Sequence, residues 1–481
     1  MFVSASHRMT RRFAAGLMGV LVVRAAVSAF VLLSGFRALS DDDFSRVVIA
    51  QSFAQHPSLD PSQTSWLPFP FWLYGTCLAV FGNSLAHARI IAILVGIASA
   101  GGIWLAGRWL GLSRRASLFG AALSCTLPYA AYLGVATTPD YLNAVMVVLA
   151  CSSLARGSSR IRALGAVASL IACLSRYESW PVAVLFAAFT AVEAMRHRSR
   201  RRLALALLVL AAPIAWMGQG ILRHHDAFFF VKRVASYRRA LGVNASTDVL
   251  HLLSTPVHLF TDALELWVLI IIVVLVSWVR KRRPLRARWL APALALLGML
   301  AFLIFGDWRD GAPTHHIGRT LLPIWLFLSL VFASALFGHK RQSTLLTRAL
   351  ATVAIAFAFL STQIAPRPNK LKLDGFCPRN EETAMGLLAA TKVPKGQRLA
   401  IDTTDYGYFA IQAAFARPEY SIVLDKHDPR YPSPSPGASA IRPALTRAGA
   451  RWLVIPKNKA PGVANAKVHW QGPTLALLEL D

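Results

Sequence analysis

The chain has 481 residues, of which 55% are hydrophobic and 15% are charged, and its mean hydropathy is +0.48. A soluble domain carries about 25% charged residues, so this composition excludes an ordinary soluble protein. The formal net charge of +28 would fit a nucleic-acid-binding protein. The placement of the basic residues excludes that class, because they form short clusters between long apolar runs.

The apolar runs recur from residue 13 to residue 364, and each is close to the ~20 residues that span a bilayer. They predict a polytopic α-helical membrane protein with about eleven transmembrane helices. The first is expected at 13–36, and it is predicted to be retained rather than cleaved as a signal peptide. The others are expected near 88–107, 117–133, 139–155, 161–175, 180–195, 203–222, 261–279, 289–306, 320–338 and 345–364.

The basic clusters predict how the chain is oriented. Lys and Arg, without any Asp or Glu, concentrate at 1–12, 108–115, 156–162, 196–202, 280–288 and 340–348. By the positive-inside rule these segments are cytoplasmic. The N-terminus is then cytoplasmic and the C-terminal part is extracytoplasmic. We expect an integral protein of a bacterial inner membrane, whose basic clusters face anionic membrane lipids.

Arg24 interrupts the first apolar run. A charge facing lipid is costly, so we expect Arg24 to face the bundle interior. The favoured interpretation is a structural charge paired with backbone groups or a neighbouring helix.

Residues 37–89 are predicted to form a long outside loop within a transmembrane domain of residues 1–364. The apolar positions from 44 to 53 follow helical spacing and predict a helix along the membrane surface. The run 69–81 follows Pro68 and is short, so we expect it to be interfacial.

Residues 365–481 are predicted to form an extracytoplasmic α/β domain, because short apolar runs alternate with helical patterns. Strands are expected at 397–402, 420–425, 451–455 and 475–480, and helices near 408–415 and 441–448. This domain shows no catalytic signature.

Ionisable residues from distant loops are predicted to meet at the outer ends of the spans. The candidates are Asp41, Asp42, Asp43, Asp140, Arg176, Glu178, His224, His225, Asp226, Asp307, Arg309, Asp310, His315, His316 and Arg319. Such convergence predicts an active site. The alternative is that loops are simply where charges occur. For Asp140 alone, a favourable charge at a helix N-terminus is an equal explanation, and ordinary loop histidines are favoured for His315 and His316.

Several motifs, in order, resemble the C-type membrane glycosyltransferases. The first is the acidic run Ser40-Asp-Asp-Asp-Phe-Ser-Arg46 after the first span, followed by Pro68-Phe-Pro-Phe-Trp72. The others are Ala136-Thr-Thr-Pro-Asp140, Leu174-Ser-Arg-Tyr-Glu-Ser-Trp180 and Gly318-Arg-Thr-Leu-Leu-Pro323. The pattern is similar to that of the protein O-mannosyltransferases and lipid A aminoarabinose transferases, which use polyprenyl-phosphate sugars. The resemblance covers roughly residues 13–364.

The resemblance implies a GT-C-like fold and a set of site residues. Asp42 matches the catalytic Asp of the family and Asp43 the acidic residue after it, but the three-Asp run leaves Asp43 open as the base. Asp140 matches the second acidic site. One departure concerns the lipid phosphate, because Trp66 and Leu67 stand where the aminoarabinose transferases carry a Lys. The phosphate-binding cation must therefore come from elsewhere.

The predicted function is an inverting glycosyltransferase that moves a sugar from a polyprenyl-phosphate donor to a glycan, lipid or protein acceptor outside the membrane. Asp42 would remove the acceptor proton, and Asp43 or Asp140 would orient the acceptor. Arg176, His315, His316 and Arg319 are candidates for binding the leaving phosphate. Trp66 and Trp72 are candidates for binding acceptor or lipid. No cofactor is required, and a divalent metal held by Asp42, Asp43 and Asp140 is left open.

Two rival functions remain at this point. A transporter or lipid flippase tends to carry inverted repeats and broken helices at the bilayer midplane, whereas the charges here gather at one face, which favours the enzyme. A non-catalytic assembly protein would keep the fold with a dead site, and the intact Asp42, Asp140 and Arg319 argue against it.

Overall fold

A computed structural model defines the architecture of the protein. It describes residues 2–240, 252–279, 287–309, 316–337, 353–357, 377, 379–402, 405–424, 438–463 and 465–480. The predicted span 345–364 lies mostly outside these residues, as does the predicted site residue His315.

Nineteen α-helices are defined among the described residues. In chain order, α1 to α10 are Phe2–Leu33, Asp41–Gln55, Phe69–Phe81, Leu85–Trp109, Arg114–Thr126, Pro128–Leu133, Asp140–Ser153, Ser159–Cys173, Trp180–Arg196 and Arg200–His224. Helices α11 to α19 are Phe229–Ala240, Ser254–Thr261, Leu264–Val279, Leu290–Arg309, Ile317–Thr320, Leu322–Phe337, Asn380–Lys392, Tyr408–Phe415 and Ala438–Ala448.

Five helical segments in the described part are long and apolar enough to cross a membrane. They are Ala14–Leu33, Leu85–Trp109, Tyr177–Arg196, Arg200–His224 and Leu290–Arg309. A sixth arises if α12 and α13, which meet at a 75° bend, count as one span. Helix α7 has 14 residues and α16 has 16, and at 1.5 Å per residue neither alone covers the ~30 Å hydrocarbon core. The figure of about eleven spans therefore stays a prediction.

Arg24 binds the C-terminal part of α6, a short helix that follows a break in the chain. The predicted span 117–133 is divided at Leu127 and Pro128 into α5 and α6. Arg24 is fully buried, and its guanidinium donates to the carbonyls of Ala130 and Ala131 at 2.8 and 2.9 Å. The expected pairing of this charge with backbone groups is confirmed.

The C-terminal residues form a five-stranded sheet. Its strands are β1 Arg398–Ile401, β2 Ser421–Val423, β3 Ala450–Pro456, β4 Ala466–Gln471 and β5 Leu475–Leu480. Their order is β2-β1-β3-β5-β4, with β1 parallel to β2 and β3, and β5 antiparallel to β3 and β4. All four predicted strands are present.

Two C-terminal elements were not predicted from the sequence. Strand β4 lies at a sheet edge and is mostly exposed, so its sequence lacks the apolar signal of a buried strand. Helix α17 buries only Met385, Gly386 and Ala389, which leaves little amphipathic pattern to detect.

The predicted surface helix of the long loop is present as α2, and the short apolar run is α3. These two helices cross closely at Gly75, where a side chain would collide with Phe53 and with the carbonyl of Ala50. Helix α2 also packs beside α4 through Phe44, Leu85 and Ala88. The acidic N-terminus of α2 is therefore held by packing along most of the helix.

Arg24→Ala should lower the free energy of unfolding by about 2 kcal/mol, because two carbonyls of α6 lose a charged donor. Thermal unfolding in detergent measures this. Met18→Ala is the control, since Met18 lies on the same helix and is 60% exposed. Equal unfolding temperatures for Arg24→Ala and the parent would contradict this role.

Candidate active site

Three consecutive carboxylates begin α2 and face three different environments. Asp41 pairs with Arg379 of the C-terminal region. Asp42 is partly open, with 33% of its side chain exposed, whereas Asp43 is 5% exposed. Successive side chains on a helix point about 100° apart, so neighbouring residues need not share partners.

Asp43 is occupied by hydrogen bonds on both oxygens. Oδ2 accepts from the backbone N–H groups of Leu39 and Ser40 at 3.1 and 3.2 Å, which caps the start of α2. Oδ1 accepts from the backbone N–H and hydroxyl of Thr137 at 3.0 and 3.2 Å. Burial raises the pKa of Asp43, and Arg319 and the backbone donors oppose that shift. Asp43 thus ties α2 to the loop before α7.

Asp42 faces the segment that contains α15. Its Oδ2 lies 3.9 Å from Nη1 of Arg319 and 3.9 Å from Nε2 of His316. Arg319 is buried, and its Nη2 also donates to the Ser40 hydroxyl at 3.3 Å. The carboxylate of Asp42 therefore has a cationic neighbour and remains accessible.

The position of Arg319 depends on the glycine before it. A side chain on Gly318 would collide with the hydroxyl of Tyr129 and with the carboxylate of Asp262. Close approach to α6 and to the bend between α12 and α13 therefore requires glycine here. This packing holds Arg319 against the N-terminus of α2.

Asp140, at the first position of α7, is paired with Arg176. Its Oδ1 lies 2.6 Å from Nη1 of Arg176, whose Nε also contacts Glu178. Asp140 is 2% exposed, and its Oδ2 has no hydrogen-bond partner among the described residues. The second acidic residue thus keeps one buried oxygen available beside a bound arginine.

Arg46 is a cation of the same site that was not predicted. Its guanidinium lies over the ring of Trp66, 4.3 Å from the centroid, and 5.7 Å from that of Phe71. Electrostatic interactions connect it with Asp42, Asp140, Arg176 and Arg319, and burial lowers the pKa of Arg46.

Within the described part of the chain, Arg46 makes no ion pair closer than 4 Å, and its Nε has no hydrogen-bond partner. Arg46, one turn into α2, thus places a cation beside Trp66, in the region before Pro68 where the sequence carries no Lys. The sequence signal that could have identified Arg46 is its spacing from Asp42, because residues four apart lie on the same face of a helix.

Other predicted residues lie apart from these side chains. The indole of Trp72 donates to the carbonyl of Ser58 at 3.2 Å, within the long loop. Asp307 pairs with Arg238 at 2.9 Å, and Asp226 pairs with Lys232 at 2.6 Å. The predicted convergence therefore holds for a smaller set, namely Asp42, Asp43, Asp140, Arg176, Glu178, His316 and Arg319.

The carboxylates of this region are not arranged as a shared metal site in the described part of the chain. Among the residues that the structure describes, no group of three His, Cys, Asp or Glu side chains is placed to hold a metal ion. Both carboxylate oxygens of Asp43 accept hydrogen bonds from N–H and hydroxyl donors, and Asp140 is paired with Arg176. The described donors do not fit a site shared by Asp42, Asp43 and Asp140.

Residues 56–217 match the family model described as dolichyl-phosphate-mannose-protein mannosyltransferase. This part contains Trp66, Asp140 and Arg176, whereas Asp42 and Arg319 lie outside it. No curated protein matches the sequence.

The whole chain has the fold of ArnT from Cupriavidus metallidurans. Against its crystal structure bound to undecaprenyl phosphate, the TM-score is 0.62 at 15% identity, covering 98% of both chains. Against the apo crystal structure the TM-score is 0.56 at 15% identity, covering 99% of this chain and 98% of the other. The resemblance to C-type membrane glycosyltransferases that the sequence predicts is confirmed, and the fold is GT-C-like.

Asp43→Ala should lower the thermal stability clearly, since it removes the acceptor for the N–H groups of Leu39, Ser40 and Thr137. Loss of a buried acceptor costs about 1–3 kcal/mol for the groups left unpaired. Asp42→Ala is the matched control, and it should leave the unfolding temperature in detergent close to that of the parent. Equal destabilisation by the two substitutions would contradict the separate roles of Asp42 and Asp43.

Proposed function

We propose that the protein is a membrane glycosyltransferase that moves a sugar from a polyprenyl-phosphate donor to an acceptor hydroxyl at the outer face of the membrane. The observation that carries this proposal is the accessible carboxylate of Asp42 beside the cations Arg319 and Arg46. The ArnT-like fold and the mannosyltransferase family match support the reaction class.

Asp42 acts as the general base. The acceptor oxygen attacks the anomeric carbon, the bond from that carbon to the phosphate oxygen breaks, and the acceptor proton passes to Asp42. The leaving polyprenyl phosphate keeps the bonding electron pair. Attack from the face opposite the phosphate inverts the anomeric centre. Proton removal by a placed carboxylate contributes roughly 10²–10⁴-fold to the rate.

Asp42 suits this task better than Asp43. Its side chain is 33% exposed, and the Arg319 guanidinium and the His316 imidazole each lie 3.9 Å away, so an acceptor hydroxyl has room to approach. Asp43 accepts hydrogen bonds on both oxygens and is buried. Asp140, with one oxygen unpaired among the described groups, orients the acceptor.

The leaving phosphate gains negative charge as the bond breaks. Arg319 and Arg46 meet it with guanidinium groups whose donors are mostly unused by the described protein groups. Fixed cations in a site of low polarity are worth several kcal/mol for such charge. Trp66 and Phe71 hold the Arg46 guanidinium from one side, which leaves its edge for the phosphate.

The basic clusters indicate on which side of the membrane the site lies. The carboxylates lie after the first span, on the side opposite the clusters at 108–115 and 156–162, and the positive-inside rule makes that side extracytoplasmic. The C-terminal α/β region of residues 365–481 lies on the same side in this proposal. The donor is then a lipid presented at the outer leaflet.

Asp42→Asn should reduce sugar transfer about 10²–10⁴-fold, because the amide cannot take the acceptor proton. The measurement uses purified protein, labelled polyprenyl-phosphate sugars and an extract of envelope acceptors, with and without EDTA. Asp226→Asn is the control, since Asp226 pairs with the exposed Lys232 and accepts from the backbone N–H of Phe228, and not from the residues around Asp42.

Transfer by Asp42→Asn at the parent rate would remove Asp42 as the base. Transbilayer movement of polyprenyl phosphate in vesicles, with no transfer to any acceptor, would instead support a flippase. Loss of transfer in EDTA that Mg²⁺ or Mn²⁺ restores would show that the reaction requires a divalent metal.

Arg46→Ala should weaken binding of undecaprenyl phosphate at least tenfold, because it removes a desolvated cation from the phosphate site. Inhibition of transfer by undecaprenyl phosphate, or its direct binding to purified protein, measures this. Arg223→Ala is the control, since Arg223 is exposed at the end of α10. Unchanged binding by Arg46→Ala would exclude Arg46 from the phosphate site.

A further inference from the structure

Arg379, in the C-terminal region, binds the carboxylate of Asp41, the first residue of α2. Nε and Nη2 of Arg379 donate to Oδ1 and Oδ2 of Asp41 at 2.9 and 3.0 Å. This is the paired geometry in which a guanidinium binds a carboxylate most strongly. The thiol of Cys377 also donates to Oδ1 of Asp41 at 3.1 Å. Burial and the Asp41 carboxylate raise the pKa of Cys377 to about 12, so the thiol stays protonated.

The same guanidinium joins Asp41 to two elements of the C-terminal region. Nη1 of Arg379 donates to Glu382, in the first turn of α17, at 2.9 Å and to Asp405 at 2.8 Å. Asp405 in turn accepts from the backbone N–H of Gly407, at the start of α18, at 2.8 Å. Arg379 adopts a left-handed backbone conformation with φ of 34°. Such a conformation persists in a non-glycine residue only where its surroundings determine it.

Helix α18 extends this contact along α2. Ala410 and Ala413 pack in one cluster with Phe44 and Val47. The side-chain amide of Gln51 donates to the carbonyl of Ala413 at 2.9 Å and to that of Asn83 at 3.1 Å. The C-terminal region therefore contacts both the first turn and the middle of the helix that carries Asp42.

We propose that Arg379 is a positioning residue that acts through Asp41 to set the orientation of Asp42, which makes the C-terminal region an integral part of the active site. This inference rests on the proposed function. Asp41 and Asp42 are adjacent in the first turn of α2, so a shift of Asp41 moves the backbone of Asp42. Misplacement of a reacting group by about 1 Å costs up to ~10²-fold in rate.

The test is a double-mutant cycle on the full-length protein with Asp41→Asn, Arg379→Ala and both changes together. We expect each single substitution to lower kcat about tenfold or more with little change in KM for the polyprenyl-phosphate donor. The double variant should be no worse than Arg379→Ala, because both changes break one contact. Arg379→Lys, which keeps the charge but not the paired geometry, should recover part of kcat.

Arg417→Ala is the matched control. Arg417 also lies in the C-terminal region, but it donates to the carbonyls of Val393 and Ala390 and not to a side chain of α2. It should lower thermal stability while leaving kcat near the parent value. A loss of kcat in Arg417→Ala equal to that in Arg379→Ala would reduce Arg379 to a general stabilising residue and overturn the proposal.

Hydrogen exchange of the peptide 39–50, followed by mass spectrometry, tests the contact without any turnover. Arg379→Ala should speed exchange there and Arg417→Ala should not. Unchanged exchange, or additive losses of kcat in the cycle, would overturn the positioning role. Faster exchange in Arg379→Ala, together with a parent protein that transfers no sugar, would keep the contact and refute the proposed function.

Discussion

The start of α2 is where the architecture and the proposed chemistry meet. Consecutive side chains leave a helix about 100° apart, so three adjacent carboxylates are directed to three partners. Asp41 binds the C-terminal region, Asp42 faces Arg319 and His316, and Asp43 caps the helix and binds the loop before α7. Because two of the three are fixed by hydrogen bonds and an ion pair, the third is held in place while remaining accessible.

Burial of charge explains the remaining organisation of the site. A buried charge is stable only where opposite charges and hydrogen bonds compensate it. Arg176 meets that requirement through its ion pairs with Asp140 and Glu178. These pairs stabilise the fold as well as placing Arg176 in the site. Arg46 is compensated mainly by aromatic rings and by more distant carboxylates. A bound phosphate would compensate the Arg46 charge more than that of an arginine already paired with carboxylates. This supports the proposed place of Arg46 in the donor site.

Much of the secondary structure could be predicted from the sequence, because apolar runs and alternating patterns indicate helices and strands. The surface helix α2, the short helix α3 and four strands of the C-terminal sheet followed from periodicity. Strand β4 and helix α17 did not, since little of their surface is buried. The number of spans is harder to predict, because short buried helices such as α7 carry the same apolar signal as full spans.

The site was predictable only in part, for a physical reason. Sequence order proposed Asp42, Asp140, Arg176 and Arg319 as candidates, but it could not choose between Asp42 and Asp43, which differ by one residue. Only the hydrogen bonds of Asp43 to Leu39, Ser40 and Thr137 separate their roles. Arg46 was missed because its function depends on Trp66 and Phe71, which approach it from another segment. The Asp41–Arg379 contact joins residues 338 positions apart, a distance that no local pattern reports.

A structure of the protein with a non-hydrolysable polyprenyl-phosphate sugar and an acceptor fragment would test whether Asp42 is the base and whether Arg46 and Arg319 bind the phosphate. We expect the phosphate within hydrogen-bond distance of Arg46 and Arg319, with the acceptor hydroxyl bonded to Asp42 on the opposite face of the sugar. A phosphate bound away from both arginines, or an acceptor hydroxyl bonded to Asp140 while Asp42 faces solvent, would contradict it.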